Sequence, residues 1–222
     1  MELRSQVNEY YAVMAPVYDR NAGYNDQESE KLREFSRTSY QELFKNKRVL
    51  EIACGTGYWT EIIGQTAKSV LATDINPSML SIAEKRCNYL PNVDFLQTDA
   101  YSLTDVHRDF DAAFSHWWWS HMPKKLIPLF LKSLHSKLEP GSKVLFVDQL
   151  LSTVGFCAKN ATQIKYQDGN RLEQRITPDG KLYNVVKNLP TEKEIRGYLA
   201  ESVYNLSYRE ENGVWKLSYE IK

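Results

Sequence analysis

Long apolar runs are missing from the 222-residue chain. The longest are short, such as Val144-Leu145-Phe146-Val147, far below the roughly 20 apolar residues of a membrane-spanning helix. The opening residues, MELRSQVNEYY, lack the apolar centre of a secretion signal. No membrane association is expected, and the expected location is cytoplasmic. Cysteine is scarce. Cys54, Cys87 and Cys157 are odd in number and widely spaced, which argues against a disulfide framework or a zinc knuckle. The four histidines, His107, His116, His121 and His135, have no zinc-like spacing to cysteines or acids, so no metal is expected. Net charge is absent too, with 28 Lys and Arg balancing 28 Asp and Glu. There is no broad basic field to hold nucleic acid or an anionic membrane. Nothing repeats, and no segment is of low complexity.

What remains is the composition of a globular domain, 42% hydrophobic and 25% charged. Tyr11, Met14, Ala15 and Tyr18 fall on one face of a helix spanning Val7 to Tyr18. A second helix is predicted from Glu28 to Phe44, with Leu32, Phe35, Tyr40 and Leu43 as its apolar positions. Five strand-like runs follow: 48–53, 69–73, 93–97, 111–115 and 143–147. Helical segments at 58–64, 76–86 and 125–138 separate several of them. Asn76 can cap its helix, and Pro77 suits the first turn. Such alternation implies a parallel sheet covered by helices on both faces. Towards the end the pattern changes. Thr177-Pro178-Asp179-Gly180-Lys181 joins two short strands in a hairpin. Thr191-Glu192-Lys193-Glu194 is a capping box that opens a helix to about Glu201. Asn212-Gly213 then turns a final hairpin between 203–209 and 214–221. The expected fold is a doubly wound, mostly parallel seven-stranded α/β sheet with an antiparallel C-terminal hairpin. It divides into lid helices (1–44), a core (45–150), an inserted hairpin (151–190) and the final helix and hairpin (191–222).

The densest motif is Glu51-Ile52-Ala53-Cys54-Gly55-Thr56-Gly57, placed between a strand and a helix. Glycines there let the backbone approach a ligand, and open parallel sheets bind ligands at the carboxyl ends of their strands. Asp74 closes the next strand, where a carboxylate can accept two hydrogen bonds from ribose hydroxyls. A dinucleotide fingerprint would place a third glycine at Thr60, and the bulk of Tyr58-Trp59 disfavours a pyrophosphate.

These motifs resemble the class I S-adenosylmethionine-dependent methyltransferases. The family's acidic-x-Gly-x-Gly-x-Gly run is matched by Glu51, Ala53, Gly55 and Gly57, with alanine at the first glycine. Asp74 matches its second-strand acid, and Asp99-Ala100 its third-strand motif. Phe110 to His116, including Ser115, matches its fourth strand. Leu138-Glu139-Pro140-Gly141-Ser142 matches the approach to its fifth. Tyr10-Tyr11 and Tyr18-Asp19 resemble the lid of its small-molecule members. The resemblance implies S-adenosylmethionine as cofactor, a small-molecule acceptor, and roles for individual residues. Gly55, Thr56 and Gly57 would meet the methionine moiety, Asp74 the ribose, Ile75 and Met79 the adenine face, and Asp99 and Ala100 its edge. Tyr11 and Tyr18 either close over the cofactor or simply dock their helix.

After the fourth strand comes Ser115-His116-Trp117-Trp118-Trp119-Ser120-His121. Three consecutive tryptophans cannot all face one core, so Trp117, Trp118 and Trp119 are candidate acceptor contacts. His116 and His121 are candidate bases, because neutral imidazole can take a proton near neutral pH. Asp148 and Gln149, ending the fifth strand, and Tyr166, before the inserted hairpin with Asp168 and Arg171, are further acceptor candidates. The expected activity is in-line methyl transfer to nitrogen or oxygen of a small acceptor, aromatic or amine-bearing. The alternatives are a non-catalytic S-adenosylmethionine-binding sensor or partner subunit, and a nicotinamide-dependent oxidoreductase.

Overall fold

The computed structural model describes residues 2–107, 109–150, 161–199 and 202–222, the side chains of residues 28, 29, 31 and 32 excepted. Cys157, Glu201 and the side chain of Leu32 lie outside it. The central sheet is built from β1 (Arg48–Ile52), β2 (Ser69–Asp74), β3 (Val93–Gln97), β4 (Phe110–His116), β5 (Leu138–Gln149), β9 (Val203–Glu211) and β10 (Val214–Ile221). Its order is β3-β2-β1-β4-β5-β10-β9. The first five strands run parallel, and β10 enters antiparallel between β5 and β9. The chain reverses direction across the sheet at β1 and β4. That is the switch point at which doubly wound sheets open a crevice for ligands.

Both faces of the sheet are covered. On one side α6 (Ile127–His135) and α7 (Glu192–Leu199) bury Phe130, Leu134, Ile195 and Leu199 against Phe146, Trp215 and Leu217. On the other, α3 (Gln27–Phe44) and α4 (Tyr58–Gly64) bury Tyr40, Phe44, Ile62 and Ile63 against Val49, Val70 and Phe114. The helix α5 (Pro77–Arg86) packs beside β2 and β3. Proline occupies its first turn as expected, but the Asn76 side chain makes no capping bond. Instead the Asn76 backbone N–H donates to the Asp74 carboxylate at 2.9 Å.

A separate three-stranded antiparallel sheet, β6 (Ala161–Gln167), β7 (Asn170–Ile176) and β8 (Leu182–Val186), joins the N-terminal α1 (Leu3–Met14). Val7, Tyr10 and Met14 pack there on Leu172, Tyr183 and Val185. A two-stranded hairpin was expected. The extra strand β6 is exposed along nearly its whole length, so its sequence carries no in–out alternation to announce it. A short 3-10 turn (Ala15–Val17) and α2 (Tyr18–Asn21) then carry the chain over the carboxyl ends of the parallel strands. Among the described residues, no helix is long and apolar enough to cross a membrane.

Candidate active site

The turn after β1 takes left-handed backbone at Ala53, Gly55 and Gly57, with φ of 54°, 57° and 76°. At Gly57 a β-carbon would lie 2.8 Å from Ala83 Cβ and 2.9 Å from Ala83 Cα. Only glycine therefore lets α4 and α5 close up behind the turn. At Gly55 the same carbon would meet only Tyr18, at 4.0 Å, so its missing side chain leaves open space. That space is part of a cleft of about 740 Å³. The Gly55 N–H is held by the Asp74 carboxylate at 2.9 Å.

The cleft is lined by Ala53, Gly55, Asp74, Ile75, Met79, Asp99, Ala100, Tyr11, Tyr18, His116, Trp117, Trp118 and His121. Four predicted cofactor residues are absent from that lining. Gly57 and Thr56 stand behind the turn. Thr56 donates to Asp19 at 2.5 Å, and Arg86 joins the same carboxylate while donating to the Thr56 carbonyl at 3.0 Å. Thr56 thus ties α2 to the glycine turn. Glu51 and Ser115 are buried in their strands. Burial and the nearby Asp74 charge push the Glu51 carboxyl up to about 8, so it is held protonated at neutral pH.

A second cavity of about 540 Å³ adjoins the first. Tyr11, Tyr18, Trp117 and His121 line both cavities, and Tyr10, Met14, Asn21, Ala22, Gln149, Arg175 and Lys187 complete the second. The three tryptophans separate by location. Trp117 forms the partition, with left-handed backbone at φ 60° and its ring stacked near Tyr24, itself stacked on Tyr58 at 3.9 Å. An aromatic residue with that φ is strained, as is common at ligand sites. Trp118 leans on Phe130 and Tyr101 in the first cleft. Trp119 is buried in the core against Phe146 and Trp215, so its expected acceptor contact is corrected. Two other acceptor candidates are corrected as well. Tyr166 is 77% exposed on the edge strand β6 and is in neither lining. Asp148 is wholly buried and accepts from the Ser120 N–H at 2.8 Å, the Ser120 hydroxyl at 3.1 Å and the Gln149 N–H at 2.7 Å. It organises the loop after β4 and lines neither cavity.

The two histidines also differ. The His116 ring lies 4.7 Å from Trp59 and 5.0 Å from Trp117. Burial lowers it to about 3, so it stays neutral. Burial, reinforced by Lys187 and Arg175, likewise holds His121 well below its ordinary value. Its Nδ1 lies 2.6 Å from the Val186 carbonyl, which can only accept. Neutral imidazole has a single N–H, so Nδ1 carries it and Nε2 accepts. The partner of Nε2 is the Tyr11 hydroxyl, at 2.8 Å. Tyr11 in turn accepts from Arg175 Nη1 at 3.3 Å.

Several lining residues escaped the sequence reading. Arg4 pairs with the Asp99 carboxylate and lies 4.3 Å above the Tyr101 ring, tying α1 to the third-strand motif. No local pattern announces it. Arg175 did leave a signal. Arg171, Glu173 and Arg175 are two residues apart on a strand and so share a face, and that face points inward. The Glu173 carboxylate is fully buried between the two arginines.

Comparison with known proteins follows the same lines. A family model described as a methyltransferase domain matches residues 49–141. The structure aligns with DhpI in complex with SAH over 99% of this chain and 97% of that one, with TM-score 0.75 and 27% identity. Over residues 49–141 the chain carries a methyltransferase domain, and its fold is that of the class I S-adenosylmethionine-dependent methyltransferases. This methyltransferase is also similar to the uncharacterized methyltransferase OB1106 of Oceanobacillus iheyensis, 23% identical over 207 residues and 92% of each chain. It is 32% identical over 118 residues to a probable phthiotriol/phenolphthiotriol dimycocerosates methyltransferase 2 of Mycobacterium ulcerans. That match takes in 51% of this chain and 44% of the relative, so the chain spans less than half that relative's length. The first cleft fits the family's cofactor. The open space at Gly55 admits a ligand against bare backbone, and Asp74 and Asp99 face the same cleft.

Proposed function

We propose that this methyltransferase moves a methyl group to a small acceptor seated in the second cavity. The observation that carries the reading is the shared wall. Tyr11, Tyr18, Trp117 and His121 border both cavities, so ligands in the two spaces meet there.

Bound S-adenosylmethionine supplies a methyl group activated on a positively charged sulfur. In this reading the Gly55 backbone runs beside the methionine moiety and Asp74 takes the ribose hydroxyls. Ile75 and Met79 cover the adenine face, and Asp99 with Ala100 meets its edge, closed by Arg4 and Tyr101. Tyr11, Tyr18 and Trp117 exclude water at the junction. They also hold the acceptor in line with the carbon–sulfur bond, and such alignment is the protein's main contribution to rate. The acceptor's lone pair would take up that activated methyl group, the electrons of the carbon–sulfur bond staying on sulfur. A hydroxyl or amine acceptor must also lose a proton. Tyr11 Oη is placed to receive it while passing its own proton to His121 Nε2. The expected histidine base thus acts through a tyrosine, and His116 serves to pack Trp117.

The test is incubation with methyl-labelled cofactor and fractionated metabolites. Label is expected in a new small molecule. Tight binding of S-adenosylhomocysteine, with no label transferred to any fraction, would reduce the site to a cofactor-binding module.

A further inference from the structure

The second cavity has a charge imbalance that the methyl-transfer reading leaves unused. Arg171 donates to Glu173 Oε1 at 2.6 Å, and Arg175 donates twice to Oε2, at 2.6 and 3.0 Å. Lys187, just past β8, donates to the Ser120 hydroxyl at 2.8 Å and stands 3.6 Å from Asp148. Among the described residues Arg171 and Arg175 therefore share the one carboxylate of Glu173, while Lys187 has Asp148. Both acids are fully buried, and Arg175 and Lys187 are nearly so. His121, facing the same space, contributes no charge. Glu9 pairs with Lys181 at 3.5 Å on the exposed side of the lid, and no Asp or Glu is among the described residues lining the cavity. Two arginines on one buried carboxylate leave the pair short of negative charge, which is costly in a buried site. Arg175 and Lys187 face a cavity that no described acid lines, which suits an anionic ligand and does not suit an ammonium group.

We propose that the acceptor carries an oxyanion, a carboxylate or a phosphoryl group, seated between Arg175 and Lys187. Glu173 holds Nε and Nη2 of Arg175, which leaves Nη1 directed at the cavity with only the long contact to Tyr11. A planar guanidinium with one edge anchored and the other presented is well suited to grip an oxyanion. Anchoring there would fix how far the acceptor reaches towards Trp117 and the first cleft. The inference rests on the methyl-transfer reading for what happens next, but the anion site itself is testable alone.

The experiment titrates protein saturated with S-adenosylhomocysteine, at constant ionic strength, with inorganic phosphate, acetate and tetramethylammonium. Saturable binding of phosphate or acetate is expected, and none of tetramethylammonium. The tighter of the two anions names the acceptor's group. Lys187→Gln keeps a hydrogen bond to Ser120 and removes the charge. It should weaken anion binding about tenfold or more, the usual loss for a charge-assisted bond, and leave S-adenosylhomocysteine affinity unchanged. Arg175→Lys keeps the charge opposite Glu173 but loses the presented edge. It should weaken the anion likewise, and serves if the first variant misfolds. Failure of both anions to bind wild type, or undiminished binding in a folded variant, overturns the proposal. The two readings fail differently. If only methyl transfer is wrong, anions bind and no label moves. If only the anion site is wrong, label reaches neutral or cationic acceptors and the anions do not bind.

Discussion

The two cavities share a wall but are built from opposite materials. The first presents carboxylates at Asp74 and Asp99, with bare backbone at Gly55. The second presents Arg175 and Lys187 and, among the described residues, no carboxylate. The first is made by successive strand ends of one sheet, with α1, Tyr18 and Met79 completing its walls. The second is assembled from the lid, the loop after β4, the end of β5 and the small roof sheet. Backbone shape governs one and side-chain charge the other. The cofactor half is fixed by the conformation of the turns on a rigid sheet. On the proposed reading the acceptor half stands on side chains, which can be exchanged without disturbing the turns of the sheet.

The largest effect should come from breaking the backbone half. Gly57→Val forces a branched residue into left-handed φ and drives its β-carbon to 2.8 Å from Ala83 Cβ. The conformational cost alone is about 1–2 kcal/mol, and overpacking adds about 1–3 kcal/mol. S-adenosylhomocysteine affinity should fall by about a hundredfold or more by isothermal titration. Gly55→Ala separates ligand crowding from misfolding. Its methyl enters the cleft and meets nothing closer than Tyr18 at 4.0 Å, so cofactor affinity should fall further than thermal stability does. Unchanged affinity in Gly57→Val would remove the cofactor site from this turn.

The next break falls on the shared wall. Tyr11→Phe keeps the ring and deletes the hydroxyl between His121 and Arg175. If the acceptor sheds a proton, kcat should fall about a hundredfold, the usual scale of a lost proton carrier. S-adenosylhomocysteine affinity should stay within about threefold. A negligible fall in kcat would mean that the attacking atom is already anionic. Because burial and two neighbouring cations lower His121, its base form persists on acidification, so kcat of the wild type should hold steady from about pH 8 to about pH 6.

The cofactor half was legible because its determinants are local. The Gly55 and Gly57 turn, the reciprocal Thr191–Glu194 capping box and the Asn212-Gly213 turn with φ of 51° and 79° each lie within a few residues. The acceptor half depends on which side of a strand faces inward and on what lies across the gap. Trp117 and Trp119 are neighbours in sequence, yet one forms the partition and the other a core contact, because the strained backbone at Trp117 redirects the chain. Asp148 was read as facing the acceptor because it ends a strand. Three donors from the loop after β4 and from its own neighbour claim it instead. Arg175 and Lys187 are 12 residues apart in sequence and at different positions of the β7–β8 register, Arg175 opposite Tyr183 and Lys187 beyond the Leu172–Val186 pair, yet both line one cavity.

A smaller effect sharpens the contrast by testing a carboxyl of the first region that carries no charge. Glu51 is raised to about 8 in the folded chain from an ordinary value of 4.5. Between those values the native state binds the extra proton, so the residue's contribution to stability is present below about pH 4.5 and is lost as pH rises through about 8. Glu51→Gln mimics the protonated form. Its melting temperature should exceed that of wild type at pH 8, by a stability difference on the order of a few kcal/mol, and match it at pH 4. Equal melting temperatures at both pH values would mean that the Glu51 carboxylate ionises freely in the fold.

The smallest expected change is at Ala53, where the family's glycine is replaced. Its φ of 54° costs an L-residue about 1–2 kcal/mol. Glycine would remove that strain but would raise the entropy of the unfolded chain, returning about 0.4–1 kcal/mol. Ala53→Gly should therefore raise thermal stability by no more than about 1.6 kcal/mol. The two consequences for the ligand oppose one another. The lost methyl widens the cleft that Ala53 lines, and the freed backbone loosens the turn that must stay fixed. If backbone shape is what the cofactor half selects, the loosening should dominate, and S-adenosylhomocysteine affinity should hold or fall slightly while the melting temperature rises. Tighter binding together with higher stability would show instead that the alanine methyl crowds the ligand, and that side chains, as in the second cavity, also tune the first.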